Sequence, residues 1–140
     1  MIKFYKADDN DWVYCIEKLP DERLVVVFGS TMQMWDMKEG EPKKSNLIAA
    51  GTGSSNAHSE KGVQQRPHIS AIKMVENNEN LLAAAVFDGS VRLVDLSAQK
   101  EIRRYQEHRG RVWATENLAD HLLGSCADDA TIKIWDLRQA

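Results

Sequence analysis

TIKIWDLR, residues Thr131–Arg138, alternates apolar and polar side chains through Ile132 and Ile134 and then stops at Trp135 and Asp136. Alternation with a period of two is the mark of a strand with one face buried. Working back from it, LLGSCA (residues 122–127) is a second apolar run. The two are separated by Asp128, Asp129 and Ala130, a turn long enough for a hairpin.

This hairpin has two counterparts. LVVVFGSTMQMWDM (residues 24–37) and LLAAAVFDGSVRLVDL (81–96) can be set beside LLGSCADDATIKIWDL (122–137). Each is an apolar strand, a short turn containing Gly, Ser, Thr or Asp, and an alternating strand whose last apolar residue is followed by Asp: Trp35-Asp36, Val94-Asp95 and Trp135-Asp136. Upstream of each lies another strand-like run, WVYCI (12–16), ISAIKMV (69–75) and RVWAT (111–115), followed by the turn signals PDE, ENNEN and NLAD. Asp95 and Asp136 are 41 residues apart, and Asp36 and Asp95 are 59 apart. A period near 40 with three or four short strands per unit points to propeller blades.

These residues resemble the WD-repeat family of β-propellers over nearly the whole chain. EHRGRV (107–112) is similar to the family's Gly-His loop, with Glu107 where Gly is usual, and Asp129 and Trp135-Asp136 complete the pattern. The resemblance implies an all-β fold, a partial propeller of four-stranded blades. It also implies a structural network in which Trp135 holds His108 and His108 holds Asp129. The other copies depart from the pattern: the second has Asp88 but Val94 for Trp, with His68 near the loop position only if the alignment shifts. The first has Trp35 but Gly29 where Asp is expected, with Asp9 near the His position.

The expected boundaries are repeat 1 at about 12–50, a polar loop at about 51–67, repeat 2 at about 68–107 and repeat 3 at about 108–140. IKFYK, within residues 1–6, is read as an outer strand completing a neighbouring blade, and NLIAA (46–50) as the outer strand of the first. About three blades result, and three cannot close a ring. An apolar face is therefore expected at each end, closing only with further blades, as part of a longer propeller, or with a second copy in a homodimer. GTGSSNAHSEKGVQQRP (51–67) is too polar to pack. It is read as a flexible insertion, with Ser54, Ser55 and Ser59 as phosphate acceptors in the alternative reading.

Composition narrows the function. The chain has 140 residues, 43% hydrophobic and 28% charged, with a formal charge of −3. No polyanion such as nucleic acid is expected as main partner, and no apolar run approaches the roughly 18 residues of a membrane span. MIKFYKADDND lacks the apolar stretch of a secretory leader, so an intracellular location, cytoplasmic or nuclear, is expected. Cys15 and Cys126, each inside an apolar run, are read as reduced core cysteines. His58, His68, His108 and His121 do not pair with them at zinc-site spacing, and no cofactor or metal is expected.

His108 beside Asp128 and Asp129 suggests acid-base chemistry, but no nucleophile or phosphate loop accompanies them, so a buried brace is the stronger reading. The resemblance implies a non-catalytic scaffold for protein–protein interaction through loops on one propeller face. A substrate-recognition module of a larger enzyme complex such as a ubiquitin ligase is the alternative, and an intrinsic enzyme a distant third. Arg109 and Arg111 flank His108 on that face and suit an acidic or phosphorylated peptide. Phe87 and Asp128, at equivalent turn positions, are the accompanying contacts. Arg103 and Arg104 are read as a solvated edge, and Trp12 and Trp113 as core or inter-blade packing.

Overall fold

A computed structural model describes residues 4–5, 12–38, 42–49 and 67–139. Among them are eleven strands and no helix: β1 (Val13–Lys18), β2 (Arg23–Phe28), β3 (Thr31–Asp36), β4 (Lys43–Ala49), β5 (Ile69–Met74), β6 (Leu81–Val86), β7 (Val91–Asp95), β8 (Lys100–Tyr105), β9 (Val112–Ala119), β10 (Leu122–Ala127) and β11 (Ile132–Asp136). They form three antiparallel sheets in the orders β1-β2-β3-β4, β5-β6-β7-β8 and β9-β10-β11. Each sheet is one propeller blade, and inner strands β1, β5 and β9 pack side by side. The outer strand of the first blade starts at Lys43, three residues before the NLIAA run, because KKS pairs with Met34, Trp35 and Asp36.

The second blade is covered on both faces, which explains its composition. Leu82, Ala84, Val86 and Val94 meet Val25, Val27 and Met32 of the first blade, while Ala83, Ala85, Val91 and Leu93 meet Val112, Leu123 and Trp135 of the third. A strand buried on both sides reads as an unbroken apolar run, and Leu81–Val86 does so despite the low strand propensity of Ala. Among the described strands β11 has one neighbour, β10, and it keeps its alternation, with Trp135 inward and Ile132 and Ile134 outward.

Several expectations need correcting. Cys126 is exposed on the distal face of the third blade, and Cys15 is only half-buried against the core between the first two blades. Both are free thiols. An apolar face was expected at each end, but among the described residues only the third blade leaves its face bare. On the first, Val26, Phe28 and Trp35 are buried in a cluster that includes Tyr5. Phe4 and Tyr5, the described part of the expected outer strand, join no sheet. Asp9, most of the 51–67 loop with Ser54, Ser55, His58 and Ser59, and Ala140 lie outside the described residues.

At one end of the blades lie the hairpin turns between β2 and β3, β6 and β7, and β10 and β11, together with the loop from β8 to β9. At this turn end each inner strand skips one residue in its ladder: Tyr14 between Val13 and Cys15, Ser70 between Ile69 and Ala71, Trp113 between Val112 and Ala114. A bulge leaves its extra residue outside the ladder and re-aims that side chain.

Candidate functional site: the turn end and its braces

The loop preceding β9 is tied to the β10–β11 turn by a chain of side chains. Asp129 accepts from His108 Nδ1 at 3.0 Å, from the Arg109 backbone N–H at 2.9 Å and from the Thr131 N–H at 3.1 Å. On the other side of the ring, His108 Nε2 lies 2.8 Å from Ser125 Oγ, which receives the Trp135 indole N–H at 2.8 Å. A carboxylate only accepts, so Nδ1 carries the proton, and Nε2 takes the Ser125 hydroxyl proton. Trp135 and His108 therefore touch as rings, 6.1 Å apart and edge-on, but the polar link between them is Ser125, which the sequence reading did not include. Its signal was available: Ser125 is the one hydroxyl in LLGSCA and points to the same side as Trp135. Hydrogen bonds from Thr131, then from Arg109 and His108, hold the Asp129 carboxyl well below the usual range. Gly110 is required here, since a Cβ would lie 2.9 Å from Asp128 Cβ.

The second blade does this differently. Asp88 is met by a nearly inaccessible guanidinium, Arg92, at 2.6 Å, with Arg92 Nε donating to Ser90 Oγ at 3.0 Å and Nη1 at 3.5 Å from Glu101. Burial pushes the Asp88 carboxyl up, but Ser90 and Arg92 outweigh it and leave it below its ordinary value. Arg92 occupies the place of Lys133 on β11, and Ala84 that of Ser125, so the Ser-His-Trp chain has no counterpart here. His68 does not approach Asp88's carboxylate; it stacks on Phe87 at 6.0 Å. In the first blade Gly29 sits in the turn at φ 53°, and Trp35 donates to Gln33 on its own strand at 3.2 Å.

The exposed part of this end is aromatic and cationic. Tyr14 and His68 (5.5 Å), His68 and Phe87 (6.0 Å), and Phe87 and Trp113 (4.9 Å) form a continuous run across all three blades. The Arg111 guanidinium lies over Phe87 at 5.3 Å, and the Trp113 indole N–H donates to Asp128. Arg109 is exposed beside them, and among the described residues neither Arg109 nor Arg111 is in a salt bridge. Phe87 and Asp128 thus sit beside Arg111 and Trp113, while Trp113 (47% exposed) and Trp12 (77%) are not the interior residues they were expected to be. Arg104 pairs with Glu101 at 2.8 Å. Arg103 is not a solvated edge: it donates to the carbonyls of Leu137 (2.9 Å) and Gln139 (2.8 Å) and to the Tyr105 hydroxyl.

The described residues hold no group of three or more His, Cys, Asp or Glu able to bind a metal, and no helix long and apolar enough to cross a membrane.

Comparison with known proteins agrees with this geometry. The family model "WD domain, G-beta repeat" matches residues 99–136. The chain is similar to E3 ubiquitin-protein ligase COP1 of Arabidopsis thaliana, with 26% identity over 76 residues, 53% of this chain and 11% of that protein. It is also similar to Protein SPA1-RELATED 3 of the same plant, with 37% identity over 60 residues, 41% of this chain and 7% of that protein. Among solved structures, a chain of the Mitotic Checkpoint Complex superposes with a TM-score of 0.66 at 16% identity, covering all of this chain and 43% of its own. The matched stretches thus span about a tenth of the curated relatives and under half of the solved one. A repeat matched where the Trp135–Ser125–His108–Asp129 chain lies, and a backbone matched from end to end, identify the three sheets as propeller blades, with residues 99–136 matching a WD repeat.

Proposed function

We propose that the chain is a non-catalytic scaffold that holds a protein partner on the turn end of its blades, with Arg109, Arg111, Phe87 and Asp128 in contact with an acidic or phosphorylated segment. The observation that carries this is the run Tyr14, His68, Phe87 and Trp113. It presents aromatic rings from three blades in one line, with guanidinium groups at one end. Aromatic and Arg side chains held rigid are the residue types that dominate binding at protein interfaces. The non-catalytic reading is supported by the state of the obvious acid-base pair. Both nitrogens of His108 are engaged, its side chain is buried, and Asp129 is occupied by four donors, His108 Nδ1, the Arg109 N–H and the N–H and hydroxyl of Thr131. Trp35, Asp88, His108, Asp129 and Trp135 then serve the fold, by holding turns and loops in place.

Binding of an immobilised acidic peptide and its phosphoserine counterpart tests the proposal. The double change Arg109→Glu and Arg111→Glu should reduce capture at least tenfold while the melting temperature stays nearly constant, and Lys100→Glu should do neither. Equal effects of the double change and of Lys100→Glu would overturn it. A second reading, a substrate-recognition module within a ubiquitin ligase, is favoured by the likeness to E3 ubiquitin-protein ligase COP1. It requires that a partner captured on this face become ubiquitin-modified in an extract only when the chain is present.

A further inference from the structure

At the end of the blades away from the aromatic run, the β5–β6 turn stands between the β1–β2 and β9–β10 turns, and its two sides differ. Toward the third blade it is tied down. Asn117 Oδ1 accepts the Glu76 backbone N–H at 3.1 Å, Asn117 Nδ2 donates to the Met74 carbonyl at 2.9 Å, and Asn77 Nδ2 donates to Asp120 at 2.9 Å. Toward the first blade, among the described residues, no hydrogen bond or ion pair crosses from residues 18–22 to residues 74–80. A cleft of about 490 Å³ opens there, with Leu19 and Pro20 on one wall and Met74 and Val75 on the other.

The walls are apolar and the rims anionic. Asp21 and Glu22 continue the chain from Pro20, and Glu79 lies on the opposite wall. All three are exposed, and among the described residues none of them is in a salt bridge. Lys18 also lines the cleft, but it shares a ladder with Leu24 and Trp35, whose side chains lie on the side away from the second blade. Both walls are held by their own backbone: Leu19 N–H donates to the Arg23 carbonyl at 2.8 Å, Met37 N–H to the Glu22 carbonyl at 3.1 Å and Val75 N–H to the Leu81 carbonyl at 2.9 Å. A cleft formed in advance spends little ordering entropy when it is filled. One of this size and lining suits an anchoring apolar side chain, and the charges on its rim select what flanks that anchor.

We propose that the cleft between the first and second blades docks a basic segment of a partner protein. One apolar side chain seats between Pro20 and Val75, and Lys or Arg residues on either side of it meet Asp21 and Glu22 on one rim and Glu79 on the other. Arg109 and Arg111 give the turn end the opposite sign, so the two surfaces sort their partners by charge. A chain with both surfaces holds two different proteins at its two ends, and the cleft docks its segment whether or not the turn end binds an acidic one.

Backbone amide shifts of the isotope-labelled 140-residue chain read both the strength and the place of binding. The peptide Arg-Ser-Leu-Ser-Arg, whose Leu and two Arg share one face when extended, should shift amides within residues 19–22 and 74–79 and leave those of Arg109 and Arg111 unmoved. Glu-Ser-Leu-Ser-Glu and Arg-Ser-Ser-Ser-Arg should each bind roughly tenfold more weakly or worse. Glu22→Lys with Glu79→Lys, both on exposed side chains, should reverse the preference between the two charged peptides. If that double variant unfolds by near-ultraviolet circular dichroism, Glu79→Gln alone should weaken the Arg peptide about threefold. Arg109→Glu with Arg111→Glu should leave its binding unchanged, which separates this surface from the turn end. Equal binding of the Arg and Glu peptides, binding that survives loss of the leucine, or shifts centred on the turn end would overturn the proposal. So would movement of the same amides on concentrating the chain alone, which would give the cleft to a second copy.

Discussion

Three residues at one ladder position, Gln33, Arg92 and Lys133, show how differently the blades of one chain solve the same problem. A turn carbonyl or carboxylate near a buried strand needs donors. Only in the third blade does a histidine reach from the preceding loop to supply one. Ser125→Ala would leave the Trp135 indole N–H and His108 Nε2 without their partner and should cost about 1 to 3 kcal/mol in a thermal or urea melt. Trp135→Ala removes packing as well and should cost about 3 to 5 kcal/mol, more than Val94→Ala, which has no polar partner to lose. Arg92→Leu should cost about 1 to 3 kcal/mol. That is less than a fully buried pair would lose, because the carboxylates left behind, Asp88 and Glu101, are about a quarter exposed. At this scale His108, Asp129 and Trp135 were legible in the sequence because they fall in a recurring pattern. Ser125 and Arg92 were not, because each depends on which face of a strand points at a neighbouring blade, and one residue of register decides that.

The hairpin turns are the elements on which the blades depend most. Gly89, at φ 87°, stands where the third blade has Ala130, at φ 60°. A Cβ on Gly89 would come within 2.6 Å of the His108 carbonyl, so Gly89→Ala should lose about 1 to 3 kcal/mol. Ala130→Gly relieves a left-handed alanine and should gain up to about 1 kcal/mol. Paired melts of the two variants, one falling and one rising, check both. The third turn also sets an acid limit. Asp129 is depressed below its ordinary value of 3.8, so its contribution is complete above about pH 4 and is lost as pH falls further, through the folded-state value. Melting temperature measured from pH 6 to pH 2 should fall at the acid end, and Asp129→Asn should flatten that limb. The strands and turns were readable from period and punctuation. The environment of Arg103 and Trp113 was not, because it is set by contact between blades that are distant in sequence.

Across the whole molecule, stacking rather than any single sheet makes the core. The second blade contributes to both large apolar clusters, and the outer blades each touch only one of them. The blade count was carried by the repeat itself, whereas the asymmetry of the two ends was not, since Tyr5 covers one of them from outside the repeat pattern. Because Ile132 and Ile134 are exposed on the third blade, Ile132→Asp together with Ile134→Asp should raise the solubility limit of the chain while changing its stability by no more than about 0.5 kcal/mol. Concentration-dependent turbidity measures the first and calorimetry the second.

Tyr14, Ser70 and Trp113 occupy the same bulge in three blades, yet one is a phenol, one a small hydroxyl and one an indole. A position held outside the ladder is released from the pairing rules that constrain its neighbours. Ser70 is tied down, its hydroxyl donating to the Ala85 carbonyl at 3.1 Å and to the Val112 carbonyl of the third blade, so the inner strands offer two exposed sockets, at Tyr14 and Trp113, in which recognition can be rewritten while the architecture stands. A new specificity could be installed by exchanging these side chains alone, and the same property would let duplicated copies of such a chain drift toward different partners without first passing through a loss of fold.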